Sequence, residues 1–195
     1  RNYTDFYAGA YRKMNDTEAS RLCSIKRDPD EVIPYSEVKN AAEQLFERYY
    51  KPLFITRGSR GSIVADENGI SEIEGLMIIS RVDTVGAGDS YLAGAAAALA
   101  AAYPLNTAAG FGTLVAGVTV QKLFQTGTAS PEEIIQIGTD PDYTWRPELA
   151  EDIRQANYPG NTEIEIICRW PDNLTVKHAL FDNDGTVSTL REGWE

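Results

Sequence analysis

D-T-V-G-A-G-D-S-Y-L-A-G-A-A-A-A-L, residues Asp83 to Leu99, has the order of a strand end, a tight glycine turn and a long helix of small residues. Gly86, Ala87 and Gly88 carry little or no side chain, so a ligand can come close to the backbone while the N–H groups opening the helix point at it. That geometry suits an anion, phosphate above all. Asp89 sits at the mouth of the same helix, where a carboxylate could take a proton from an attacking hydroxyl whose developing charge the turn would stabilise. An anion cradle beside a base predicts phosphoryl transfer. Read alone, the same letters also fit a glycine turn with Asp89 as an ordinary helix cap.

Working outward, Leu76 to Val82 is the predicted strand that delivers Asp83. Ile63 to Ala65 and Ile70 to Ile73 flank Asn68-Gly69, a hairpin signal. Upstream, Thr56-Arg57-Gly58-Ser59-Arg60-Gly61 is a second glycine turn, placed after the continuous apolar run Leu53-Phe54-Ile55. Such a run predicts a parallel strand buried on both faces, whose C-terminal end is where open α/β sheets bind ligands. A helix capped by Ser36, with Val38, Ala41, Ala42, Leu45, Phe46 and Tyr49 at the helical period, precedes it and makes a crossover unit. Earlier still, Asn15 or Asp16 is positioned to cap a short helix through Arg21. Downstream, a helix capped by Asn106 and running through Phe124 is apolar on nearly all sides, and Ser130-Pro131-Glu132-Glu133 is a capping box.

A net charge of -11 with a pI near 4.6, and no cluster of Lys and Arg, argues against a nucleic-acid partner. Leu92 to Ala102 is too short and too alanine-rich for a membrane span. Cys23 and Cys168 have no metal or disulfide spacing, which fits a reducing cytoplasm, and a lone histidine, His178, excludes histidine-based triads. Arg1 to Met14 has no signal-peptide pattern and reads as a cut through a longer protein.

Asp83-Thr84, Gly86 to Asp89 and Ala93-Gly94 together resemble the C-terminal signature of the ribokinase-like (PfkB) carbohydrate kinases. The resemblance implies Asp89 as catalytic base and Gly86, Ala87 and Gly88 as anion hole. Thr56, Gly58 and Gly61 match the family's nucleotide loop as ATP contacts, and Asn15 and Glu18 match an N-x-x-E motif that organises Mg²⁺ and phosphate. Gly127 is carried over to the segment that closes on the adenine, and a monovalent cation such as K⁺ is implied near Asp83. Val118 to Pro131 is most similar to the kinase domain of bifunctional heptose-7-phosphate kinases, and the likeness covers roughly Asn2 to Ile137. The implied ligands are ATP and a sugar or sugar phosphate, with no membrane partner and room for a homo-oligomer.

Near the end, His178 to Val187 is an apolar strand closing on Asp182-Asn183-Asp184-Gly185-Thr186, whose paired carboxylates call for a cation such as Mg²⁺. It resembles the first motif of haloacid dehalogenase (HAD) phosphatases, which implies Asp182 as nucleophile and Asp184 as general acid/base. The predicted class is α/β. A partial ribokinase-like fold over residues 1–138, with a mostly parallel sheet flanked by helices, is followed by a linker over 139–176 and the start of a HAD, Rossmann-like unit over 177–195. The functional expectation is a sugar kinase fused to a phosphatase, with the chain alone lacking the sugar-binding half. Its rivals are a phosphatase with a kinase-like docking unit and a nucleotide-binding scaffold.

Overall fold

The computed structural model describes residues 9–26, 32–78, 80–125, 127–139, 141 and 143–144, all within one compact unit, Arg1–Ile153. Its elements are β1 (Arg12–Asn15), α1 (Asp16–Leu22), α2 (Tyr35–Tyr49), β2 (Leu53–Thr56), a 3₁₀ turn at Gly58–Arg60, β3 (Ser62–Asp66), β4 (Gly69–Ile73), β5 (Gly75–Leu76), α3 (Ala87–Ala100), α4 (Leu105–Val120), α5 (Pro131–Thr139) and β6 (Tyr143–Thr144). The main sheet has the order β1-β2-β3-β4. Only β1 and β2 are parallel, joined by the crossover through α1 and α2; β2 to β3 and β3 to β4 are antiparallel. The sheet is therefore mixed rather than mostly parallel among the described residues, because the connections after β2 are too short for a crossover.

Alternation along the strands divides the core in two. Met14, Leu53, Ile55, Ile63 and Ala65 pack with Ala19 of α1 and with Val38, Ala41, Ala42 and Leu45 of α2. Phe54 and Val64 face the other way, onto Tyr91 and Ala95 of α3 and Ala109 of α4. The apolar run of β2 is thus buried on both faces, as its sequence predicts. Helices α3 and α4 come close through glycine: a Cβ on Gly94 would stand 3.1 Å from the Gly112 Cα.

Four local expectations shift. Ser36 lies inside α2, and Asn106 inside α4; the N-caps are Pro34 and Pro104, with no side-chain cap at either. The Pro34 and Pro104 carbonyls accept the first helical N–H bonds, from Val38 at 3.2 Å and Ala108 at 2.9 Å, and proline's fixed φ leads into the helix without a polar cap. The β3–β4 loop is Glu67-Asn68, one residue earlier than read, because Asp66 pairs with Gly69 and its carboxylate accepts the Asn68 N–H at 2.8 Å. Of the predicted Leu76 to Val82 strand only Leu76 is in a described strand, within β5, which pairs with β6. The Asp83 N–H instead donates to the Val120 carbonyl at 2.7 Å, so the end of α4, not a sheet neighbour, holds the start of the signature.

Candidate functional site

Gly86 caps α3 in the left-handed region, with φ 81°, a conformation glycine adopts without a Cβ penalty. The turn consumes part of its own donor set: the Ala87 N–H donates to the Thr84 carbonyl at 3.2 Å, and the Asp89 and Ser90 N–H groups donate to the Gly86 carbonyl at 3.1 and 2.9 Å. Among the described residues no backbone carbonyl takes the Gly88 N–H, so the donor set at the turn centres on that residue. Asp89 is exposed and is the acidic residue of the first turn of α3.

Ala87 and Gly88 form part of the lining of a cavity of about 610 Å³ whose other contributors include Asn15, Thr56, Gly58 and Gly61. The structure therefore brings one half of the glycine turn, the second glycine turn and the start of α1 around one space. Asp89, Gly86 and Glu18 do not line it, nor does Gly127, whose Cα packs where a Cβ would meet the Thr119 Cβ at 2.6 Å. Asp182 and Asp184 lie outside the described residues.

The Thr56 to Gly61 loop is fastened on several sides. Its 3₁₀ turn is closed by the Arg57 N–H on the Gly61 carbonyl at 2.8 Å, and the Thr56 hydroxyl donates to the Met14 carbonyl at 3.3 Å. Gly61 has φ 80°, and a Cβ there would stand 2.0 Å from the Ile73 carbonyl oxygen; a Cβ on Gly75 would stand 1.8 Å from the Ser59 oxygen. Arg57 is buried, bonded to Glu72 at 3.1 Å, with its guanidinium 5.2 Å from the Tyr35 ring centroid. Arg60 reaches Asp16 at 3.1 Å and the Ile33 carbonyl at 3.2 Å, tying the loop to the start of α1.

Asn15 and Glu18 hold each other. The Glu18 N–H donates to Asn15 Oδ1 at 2.7 Å and the Asn15 N–H donates to Glu18 Oε2 at 2.9 Å, a reciprocal capping box that starts α1. The helix-cap reading of this motif is thus realised, and any role toward a metal is added to it. Among the described residues no three His, Cys, Asp or Glu side chains gather to hold a metal ion. A Mg²⁺ carried on nucleotide phosphates fits such a sparse donor set, since that ion keeps most of its waters and asks for one or two carboxylates.

Sequence reasoning passed over Lys13, Arg57, Arg60 and Tyr91, all of which line the cavity. Tyr91 shares a 2.9 Å hydrogen bond with Ser62, and burial pushes its hydroxyl up to about 12, so it stays neutral. For Lys13 the signal was present: two residues before Asn15 on a strand, it shares that residue's face. A Cβ on Gly88 would stand 2.7 Å from the Lys13 Nζ.

Among the described residues no helix is long and apolar enough to cross a membrane. The chain is 33% identical over 166 residues to the bifunctional protein HldE of Halorhodospira halophila, covering 82% of this chain and 34% of that protein. Its fold is similar to phosphofructokinase-2 from Escherichia coli, solved in complex with potassium, at TM-score 0.57 and 21% identity over 66% of this chain and 40% of that one. Ribokinase from Thermotoga maritima aligns at TM-score 0.56 and 25% identity, over 67% and 42%. The chain thus spans about a third of the curated relative's length and about two fifths of each solved structure. The model of the pfkB family of carbohydrate kinases matches residues 9–133, the span that contains both glycine turns and every described wall of the cavity, and the chain belongs to that family.

Proposed function

We propose that this chain forms the nucleotide-binding part of a kinase that moves the γ-phosphoryl group of ATP to a hydroxyl of a sugar or sugar phosphate. The observation that carries this reading is the single cavity bordered by both glycine turns, with Asp89 in the first turn of the adjoining helix. The acceptor O–H gives its proton to the Asp89 carboxylate, its oxygen bonds to the γ-phosphorus, and the bond from that phosphorus to the bridging oxygen breaks to release ADP. The Gly86 to Gly88 turn bears the charge of the group in transfer, and Thr56, Gly58 and Gly61 receive the nucleotide. Asn15 and Glu18 would hold Mg²⁺ beside the phosphates, where it draws off negative charge.

A monovalent cation near Asp83 belongs to the same proposal, supported by a potassium complex among the similar structures and by the Asp83 carboxylate, which accepts the Val85 and Phe124 N–H groups at 3.0 and 3.2 Å. Gly127 lies between α4 and α5 and is assigned to the closure of that segment on the base. The likeness of Val118 to Pro131 points to a heptose phosphate as acceptor. From sequence alone, Asp182 and Asp184 are assigned to a separate Mg²⁺-dependent phosphatase motif.

The test is Asp89→Asn in the full-length protein, which keeps shape and removes the base. Transfer should fall by at least ~100-fold while ATP affinity and melting temperature stay near wild type. Near-normal turnover would reduce Asp89 to a helix cap and favour a nucleotide-binding scaffold.

A further inference from the structure

Tyr91 lies one turn beyond Gly88 on α3, and at that spacing the two share the helix face that borders the cavity. Its hydroxyl crosses to the sheet and shares a 2.9 Å hydrogen bond with the hydroxyl of Ser62. Ser62 follows Gly61 directly, opens β3 and pairs with Thr56 across the ladder. The bond therefore runs from the helix that carries Asp89 to the strand residue on which the second glycine turn ends. Both partners are buried, Ser62 fully. The Tyr91 ring meets Phe54 edge-on, at 6.4 Å between centroids, and a Cβ on Gly112 would stand 3.2 Å from it. Those apolar contacts would serve a phenylalanine equally well. Two buried hydroxyls that satisfy each other add little stability over an apolar pair of the same shape, so the use of this pair lies in its direction. Apolar packing is non-directional, whereas a hydrogen bond fixes a distance and an angle.

We propose that Tyr91 is a positioning residue for phosphoryl transfer: its hydroxyl, held by Ser62, sets the height and tilt of the first turn of α3, so that Asp89 and the Gly86 to Gly88 turn face the nucleotide at the Thr56 to Gly61 loop. It acts through the helix that carries Asp89 and touches no reacting atom. This role rests on the kinase reading of the cavity. A misplacement of about 1 Å is enough to cost up to a hundredfold in rate, so loss of the bond is felt in turnover more than in nucleotide binding.

The experiment uses the full-length protein with MgATP and a hexose phosphate or heptose 7-phosphate as acceptor, and compares Tyr91→Phe, Ser62→Ala and the double variant. Each single variant should lower kcat about tenfold with the KM for ATP within about twofold of wild type, and should lose some melting temperature because one hydroxyl stays buried without its partner. The double variant should regain the melting temperature, since both polar groups are gone, and keep the low kcat with no further fall. A merely structural pair would give kcat back together with stability, and that result overturns the proposal, as does wild-type kcat in a folded Tyr91→Phe. If a single variant does not fold, the double variant decides. Absence of transfer by the wild-type protein overturns the kinase reading and this role with it. Near-normal turnover in Asp89→Asn beside a tenfold loss in Tyr91→Phe sinks the base assignment and upholds the positioning role.

Discussion

At Gly61 an added methyl group would stand 2.0 Å from the Ile73 carbonyl oxygen, and at Gly88 it would stand 2.7 Å from the Lys13 ammonium. Both distances are too short for a real contact, but the obstacles differ. Backbone blocks the first position, and that backbone is pinned by the β3–β4 ladder and by Gly75. The second is blocked only by the far end of a four-carbon side chain, which can swing aside. The two glycine turns that border one cavity therefore use the residue for separate ends. In the Thr56 to Gly61 loop it permits packing, so this wall is built before any ligand arrives. In the turn before α3 it leaves access, and the lining there can rearrange around a phosphate.

The largest effect that can break this contrast is in the packed turn. Gly61→Ala combines a left-handed φ with a backbone clash and should cost at least ~3 kcal/mol in urea unfolding. Gly75→Ala, outside the left-handed region, should show the clash alone and also destabilise strongly. A Gly61→Ala variant as stable as wild type would end the distinction. Next in size is the Arg60–Asp16 pair, with side chains 17% and 14% exposed. A double-mutant cycle with Arg60→Ala and Asp16→Ala should give a coupling of about 1 kcal/mol that shrinks with added salt. A coupling near zero would leave backbone packing as the sole fastening of the loop. The smallest stability effect belongs to Gly88→Ala, which should be neutral or gain up to about 0.5 kcal/mol from helix propensity. It should nonetheless lower ATP affinity by crowding the turn proposed to hold the phosphates. A loss above ~2 kcal/mol there would show that Gly88, too, is a packing glycine.

Much of this architecture is legible in the chain where one residue type answers a local need. Gly86 marks its left-handed turn, Leu53 to Ile55 mark a two-faced strand, and Ser130 with Glu133 mark a helix start that the structure realises through reciprocal bonds of 3.3 and 2.8 Å. What is not legible depends on partners distant in sequence. Arg57 and Glu72 are 15 residues apart, Arg60 and Asp16 are 44 apart, and nothing local tells a charged loop residue that it will be fixed. The same holds for the predicted strand after Leu76, where pairing is decided by which backbone arrives beside it. At α2 and α4 the error was one of competing local signals: a polar residue nearby looked like the cap, and the proline before it already supplied the geometry. At Asn15 one stretch of sequence carries both a helix cap and an N-x-x-E pattern, and the structure shows the first as a reciprocal capping box.

The glycine crossing of α3 and α4 turns the first half of α3 into a lever. Gly94 is the fulcrum, held against Gly112 and Val115, and the anion turn is the tip, roughly 10 Å away at 1.5 Å per residue. On an arm of that length a tilt of about 5° displaces the tip by ~1 Å, a misplacement able to cost a hundredfold in rate when reacting atoms must meet in line. The small residues between the two helices thus set the aim of a group they never touch, and drift at this buried crossing is amplified at the site before it registers as lost stability.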